Sequence, residues 1–169
     1  MGTKVIRMIA VVLGTLFAGL GSASALDSPK TEPILVVDGD ITETNSPSGA
    51  TFDLAMLDAL PQHKFTTGYH FTKGTAEYSG VLLKDLAAAV GAKGRVAEVR
   101  ALNDYKADVP MSDTEIVPVL LATRIDGAPM RVRDKGPTWL VYDTRKRPEM
   151  NNPTTDAKMV WQITRITFK

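Results

Sequence analysis

The sequence predicts an α+β domain of mixed sheets with a few short helices, and three observations carry this. Apolar or β-branched runs of four to seven residues recur between turn clusters, from Ile34-Leu35-Val36-Val37 through Val119–Ile125 to Thr138–Tyr142, and such runs read as strands. Helical periodicity is confined to short windows, clearest over Val81–Val90, where Leu82, Leu83, Leu86 and Val90 share a face. No internal repeat or low-complexity tract interrupts a length suited to one domain. Many short strands with two or three short helices make a mixed α+β domain.

The elements follow in order. Leu26–Pro33 is a polar, flexible lead-in, and the domain runs over residues 34–169. Ile34–Val37 is a strand ended by Asp38-Gly39-Asp40, and Asn45–Gly49 is a turn cluster. Thr51–Leu60 reads as a short helix with Phe52, Leu54 and Leu57 on one face, stopped by Pro61. Lys64–His70, rich in aromatics and threonine, is extended. The Val81–Val90 helix contains good helix formers at Ala87–Ala89, and Gly91 sits where a left-handed cap belongs. Val96–Leu102 is a strand, and Ser112-Asp113-Thr114-Glu115 has capping-box spacing for a short helical turn that Pro118 limits. Val119–Ile125 ends at the Asp126-Gly127 turn, Thr138–Tyr142 is a further strand, and Asn151–Asp156 reads as loop. Val160–Phe168 alternates as a final strand, with Trp161, Ile163 and Arg165 on one face and Val160, Ile166 and Phe168 on the other.

Residues 1–25 read as a signal peptide: Lys4 and Arg7, an apolar run over Met8–Leu20, then the small-residue site Ala23-Ser24-Ala25. An uncleaved anchor is the competing reading, but Gly14, Gly19, Gly21, Ser22 and Ser24 weaken the second half of the run. The expectation is an exported, periplasmic protein. A lipoprotein anchor is excluded, since the chain has no cysteine to acylate. Cleavage leaves 144 of the 169 residues, and the loss of Lys4 and Arg7 leaves 18 basic residues against 19 acidic ones. That balance gives no nucleic-acid or anionic-membrane surface. No later segment is apolar enough to span a bilayer. A chain of this length buries enough surface to fold without disulfides.

The absence of cysteine rules out thiol catalysis, iron–sulfur clusters and thiolate metal sites. The two histidines, His63 and His70, lack a ligand spacing and read as surface or locally bonded side chains. No phosphate-cradling glycine loop, zincin helix or nucleophile elbow is present. Asn103-Asp104-Tyr105 follows a strand: its amide, carboxylate and phenol suit a polar ligand, while the same residues also make an Asx turn. Strand-like alternation would set Arg131, Arg133 and Lys135 on one side, as a small basic patch able to grip a carboxylate or phosphate. A solvated loop with ion pairs to Asp134 is the alternative. Phe65, Tyr69, Phe71 and Tyr78 form an aromatic cluster best explained as core, with Tyr69 or Tyr78 able to line a pocket mouth.

Five segments in order resemble the molybdopterin-binding domain of the sulfite oxidase family. Tyr78-Ser79-Gly80-Val81-Leu82-Leu83-Lys84-Asp85-Leu86 resembles its aromatic-x-Gly-Val-x-Leu-x-Asp-Leu helix entry. Asn103-Asp104-Tyr105 with Val109-Pro110-Met111 resembles its Asp-Gly-Tyr segment. Val119-Leu120-Leu121-Ala122 with Asp126-Gly127-Ala128-Pro129-Met130, Lys135-Gly136-Pro137, and Trp161-Gln162-Ile163-Thr164-Arg165-Ile166 resemble the remaining three. Together they cover Tyr78 to Phe168. The resemblance implies a single sulfite-oxidase-type molybdopterin-binding fold and an oxidoreductase ancestry. It also implies a cysteine ligand to molybdenum, where this chain has Thr67-Gly68-Tyr69-His70, an arginine where it has Trp139, and a lysine where it has Val160. A hydroxyl or a glycine does not replace a soft sulfur donor. The expected function is therefore an accessory module without a cofactor, binding a small anion or a membrane or periplasmic protein through Asn103, Asp104, Tyr105, Arg131, Arg133, Lys135 and His70. The alternative is a periplasmic oxidoreductase that holds molybdopterin without a protein thiolate.

Overall fold

Two five-stranded sheets meet along a shared apolar core in this computed structural model, which describes residues 26–169; the expected signal segment lies outside them. The first sheet has the order β2-β1-β10-β5-β6, from β1 (Leu35–Gly39), β2 (Ala50–Phe52), β5 (Val96–Ala101), β6 (Lys106–Pro110) and β10 (Ile163–Phe168). Only β1 and β10 pair in parallel; the other neighbours are antiparallel. In the second sheet β3 (Gln62–Thr67) pairs with β4 (Ala76–Leu82), and β4 with β7 (Val119–Ile125). The far side of β7 takes β8 (Ala128–Pro129) and β9 (Trp139–Tyr142). The expected α+β class, with mixed sheets and short helices, is what the chain adopts.

Sequence pattern explains the layering. β5 alternates half-buried and buried residues, as a strand with one face on a core does. The first five residues of β7 and all four of β9 are buried. Their near-continuous apolar runs mark strands covered on both sides. Trp139 and Trp161 form an isolated antiparallel bridge and Leu140 N–H donates to the Val160 carbonyl at 2.8 Å, so the second sheet is joined to the entry of β10.

Helix α1 (Leu54–Ala59) is shorter than expected: residues 50–52 pair with β1 instead, and Phe52 is buried in that strand. Its cap is Asp53, whose Oδ1 accepts from the Met56 N–H at 2.9 Å while Oδ2 accepts from the Lys30 and Thr31 N–H groups. Those bonds, led by the one from Met56, lower its carboxyl from 3.8 to about 2. A depressed folded pKa contributes stability above pH about 4 that is lost as pH falls through about 2. Asp53→Asn should therefore flatten the stability-versus-pH slope across that window. A variant with the wild-type acid slope in urea melts would refute this linkage.

Helix α2 (Leu83–Ala89) starts two residues later than its periodicity implies, because Val81 and Leu82 stay in β4 opposite Leu121 and Leu120. Its end is as expected: Gly91 is left-handed at φ 60°, and the Ala92 N–H closes back on the Ala87 carbonyl. Helix α3 (Asp113–Ile116) corrects the capping-box reading. Ser112 is itself helical and makes no cap bond; Thr114 Oγ1 donates to the Met111 carbonyl instead. Residues read as loop contain a fourth helix, α4 (Pro153–Lys158), capped by Asn152 Oδ1 on the Thr154 and Thr155 N–H groups. Lys158 Nζ and the Tyr142 hydroxyl both donate to Asp113 Oδ2, at 2.8 and 2.9 Å, which clamps α4 against α3 and β9. Burial, with Asp113 beside it, pushes the Tyr142 phenol well above its ordinary range.

The final strand also departs from simple alternation. Gln162 is left-handed at φ 53° and the β5 register shifts between Ile163 and Arg165. Ile163 therefore joins Ile166 and Phe168 on the buried side, while Trp161 turns outward, 45% exposed.

Candidate functional site

The β5–β6 turn supplies one side of the site. Tyr105 N–H donates to Asn103 Oδ1 at 3.2 Å, Asp104 N–H to the Ala101 carbonyl at 3.1 Å, and Asp104 is left-handed at φ 64°. This is the Asx turn that the residue types allow. It raises Asn103 and Tyr105 above the sheet, and the Tyr105 hydroxyl donates to the Ala157 carbonyl at 2.9 Å. The segment leading from α4 into β10 supplies the other side. Between them lies a cleft of about 300 Å³, lined by Asn103 and Tyr105 facing Asp156, Met159, Val160 and Trp161. That volume lies at the small end of ligand pockets, and an apolar wall with a few polar groups is their usual composition.

Asp156 is the cleft's carboxylate. Its Oδ2 lies 3.5 Å from His70 Nε2, and its buried Oδ1 has no protein partner among the described residues. The His70 ring stands edge-on to Phe71 at 5.0 Å. Beside the cleft, Phe71, Trp139 and Trp161 form a cage around the Lys135 ammonium, which lies 5.1, 4.2 and 4.9 Å from their ring centroids. Burial draws this ammonium below the ordinary lysine range, and the negative π-faces offset part of that loss of hydration. Trp161 belongs to both the cleft wall and the cage.

The structure thus brings Asn103 and Tyr105 into the cleft, sets His70 against its carboxylate, and places Lys135 on its tryptophan wall. Asp104 stands at the turn tip, 86% exposed and 3.9 Å from Arg100. The strand-like line expected of Arg131, Arg133 and Lys135 does not form. Val132–Asp134 is a 3-10 turn and Lys135 is left-handed at φ 70°, so Lys135 leaves the line of Arg131 and Arg133. Both arginines are exposed and share one acceptor, Asp134 Oδ2, at 2.8 and 3.7 Å. Sequence reasoning missed Asp156 and Met159 altogether, and it placed Trp161 only as a strand residue. An available signal was Asn152-Pro153, the cap and first-turn proline of α4.

The residues standing where a molybdenum thiolate is expected do not fit that cofactor. Thr67 is buried at the end of β3. A side chain at Gly68 would run into the Gly74 carbonyl. The Tyr69 hydroxyl donates to the Tyr142 carbonyl at 2.6 Å, and burial pushes its phenol far above the ordinary range. A phenol held neutral and already hydrogen-bonded is a poor metal donor. Tyr69 stacks on Phe71 at 5.3 Å, and Tyr78 meets Trp139 edge-on at 5.4 Å, so aromatic packing fills the region. As the residue types imply, Phe65, Tyr69 and Tyr78 are buried in the core.

No family model matches the chain, and no curated protein matches it. Among solved structures it is similar to the sulfane dehydrogenase SoxCD from Paracoccus pantotrophus, with 21% identity and a TM-score of 0.60. The match covers 79% of this chain and 37% of that one, so the chain spans well under half of that neighbour's length. At this identity the likeness establishes fold alone: the chain shares the mixed α+β fold of the matched part of that neighbour.

Proposed function

We propose that this chain is an exported, periplasmic accessory module that binds an anionic group at the Lys135 cage, on the edge of the Asn103–Trp161 cleft, and does not carry out molybdenum catalysis. The observation that carries the reading is the Lys135 cage. An ammonium with no ion pair among the described residues sits on the cleft's tryptophan wall and against Phe71, next to the Thr67–His70 segment where the resemblance expects the metal ligand. Such a cation favours a carboxylate or similar anion, borne by a small ligand or by a partner protein. Asn103 and Tyr105 would orient that ligand from the opposite wall, Arg131 and Arg133 would add positive character around it, and His70 would stand between it and the Asp156 carboxylate. Asp104 holds the turn that presents Asn103 and Tyr105.

A second reading has one supporting observation, the fold shared with a sulfane dehydrogenase. Under it the chain is a molybdopterin-dependent oxidoreductase that holds the cofactor without a protein thiolate. Fold likeness alone does not transfer chemistry. The test is to express the chain in a host that makes the cofactor, purify it from the periplasm, and measure molybdenum by mass spectrometry and oxidised pterin by fluorescence. The expected product begins at Leu26 and holds neither; near-stoichiometric metal and pterin would overturn the accessory reading.

A further inference from the structure

Five large hydrophobic side chains are exposed among the described residues, and four of them belong to segments tied together around Gln162: Leu102, Tyr105, Val132 and Trp161. Gln162 is their hub. Its carbonyl accepts from the Leu102 N–H at 2.8 Å, its Nε2 donates to the Val132 carbonyl at 2.6 Å, and its neighbour Trp161 faces Tyr105 across the cleft. Single exposed hydrophobics need no explanation, but a gathered set rimmed by charge marks a binding surface. Leu102 and Val132, 60% and 50% exposed, lie outside the cleft lining, so a small molecule in the cleft would leave both in water. An occupant that covers all four is larger than the cleft.

Charge selects the kind of occupant. Arg131 and Arg133 share the single carboxylate of Asp134, and Lys135 has no ion pair among the described residues. Two carboxylates belong to the same face: Asp104 stands beside Arg100, and Asp156 is turned inward beside His70. Around this face the cations Arg100, Arg131, Arg133 and Lys135 outnumber the carboxylates Asp104, Asp134 and Asp156 by one, an excess that favours an acidic partner. We propose that this face docks an extended acidic segment of a partner protein, with one large apolar side chain seated in the cleft against Trp161 and Tyr105 and neighbouring carboxylates meeting Lys135, Arg131 and Arg133. The inference rests on the accessory-module reading and names its partner class. An aromatic anchor in a pocket, ringed by complementary charge, is the common anatomy of such contacts.

The test pans a random-peptide display library on the exported chain, then measures binding of the enriched peptide by fluorescence anisotropy. The expected sequences place tryptophan, phenylalanine or leucine beside aspartate or glutamate. Binding should weaken about tenfold or more in Trp161→Ala, and measurably in Lys135→Gln and in an Arg131→Ala/Arg133→Ala double variant that leaves the cleft intact. Circular dichroism melts confirm that each variant is folded. No enrichment, enrichment of basic sequences, or binding indifferent to all three variants overturns the proposal. Binding of phenylacetate with no enriched peptide also overturns it, and assigns the cleft to a small anion. Molybdenum and pterin are measured on the same preparation. Stoichiometric cofactor defeats the accessory reading itself, whereas cofactor-free protein without acidic peptides defeats only the docking.

Discussion

Trp139→Ala should lower stability by about 3–5 kcal/mol, a large part of the roughly 5–15 kcal/mol that holds an average domain together. Trp139 is 1% exposed and is among the largest fully buried side chains. Its ring meets Tyr78 at 5.4 Å and Tyr69 and Phe71 at 6.4 Å each, and its Nε1 donates to the Met159 carbonyl at 3.1 Å. Truncation would leave a cavity among three rings and a carbonyl without its donor, and each carries its own cost. Lys135 would also lose the nearest face of its cage. Urea unfolding followed by circular dichroism reads the effect; a loss under about 1 kcal/mol would mean the site collapses and the stack is not the core it resembles.

Gly80→Ala should be nearly as damaging, although it adds one methyl group. A Cβ at Gly80 would fall within the van der Waals envelope of the Leu121 carbonyl and 3.0 Å from the Ala122 Cα. The position lies at the register shift in the β4–β7 pairing, and β4 is flanked by β3 and β7. The neighbours are backbone, so no side chain can swing aside. Relief requires β4 to separate from β7, which adds broken ladder bonds to an overpacking cost of about 1–3 kcal/mol. Soluble yield and melting temperature are the readouts. A variant melting within a couple of degrees of wild type would show that the two strands do not approach so closely.

Much of this architecture was legible, and the exceptions share a cause. The α2 end was readable because Gly91 states its left-handed conformation in its residue type, and the Asn103–Tyr105 turn because Asn and Asp favour it. Gln162 and Lys135 are also left-handed, yet nothing in glutamine or lysine announces it. Alternation carried through those positions put Ile163 on the wrong face and Lys135 beside the arginines. The position of Lys135 is set by the carbonyl it offers to the Gln162 N–H at 3.1 Å, a contact between distant segments. Asp156 entered the site in the same way, because its helix is clamped to α3 and β9 by Asp113, Lys158 and Tyr142. Half of the cleft was therefore visible as the β5–β6 turn, and the other half exists only once the sheets have closed.

The cage around Lys135 also gives the protein a built-in optical reporter. The chain has two tryptophans, and they are the two that share this ammonium, one buried and one half open to solvent. All of its indole emission thus originates within a few ångströms of the cleft, with no distant tryptophan to dilute the signal. Trp161 faces water and supplies the component open to a soluble quencher, while Trp139 supplies the shielded one. Occupancy of the cleft is readable on the unlabelled protein, as the loss of the quenchable fraction.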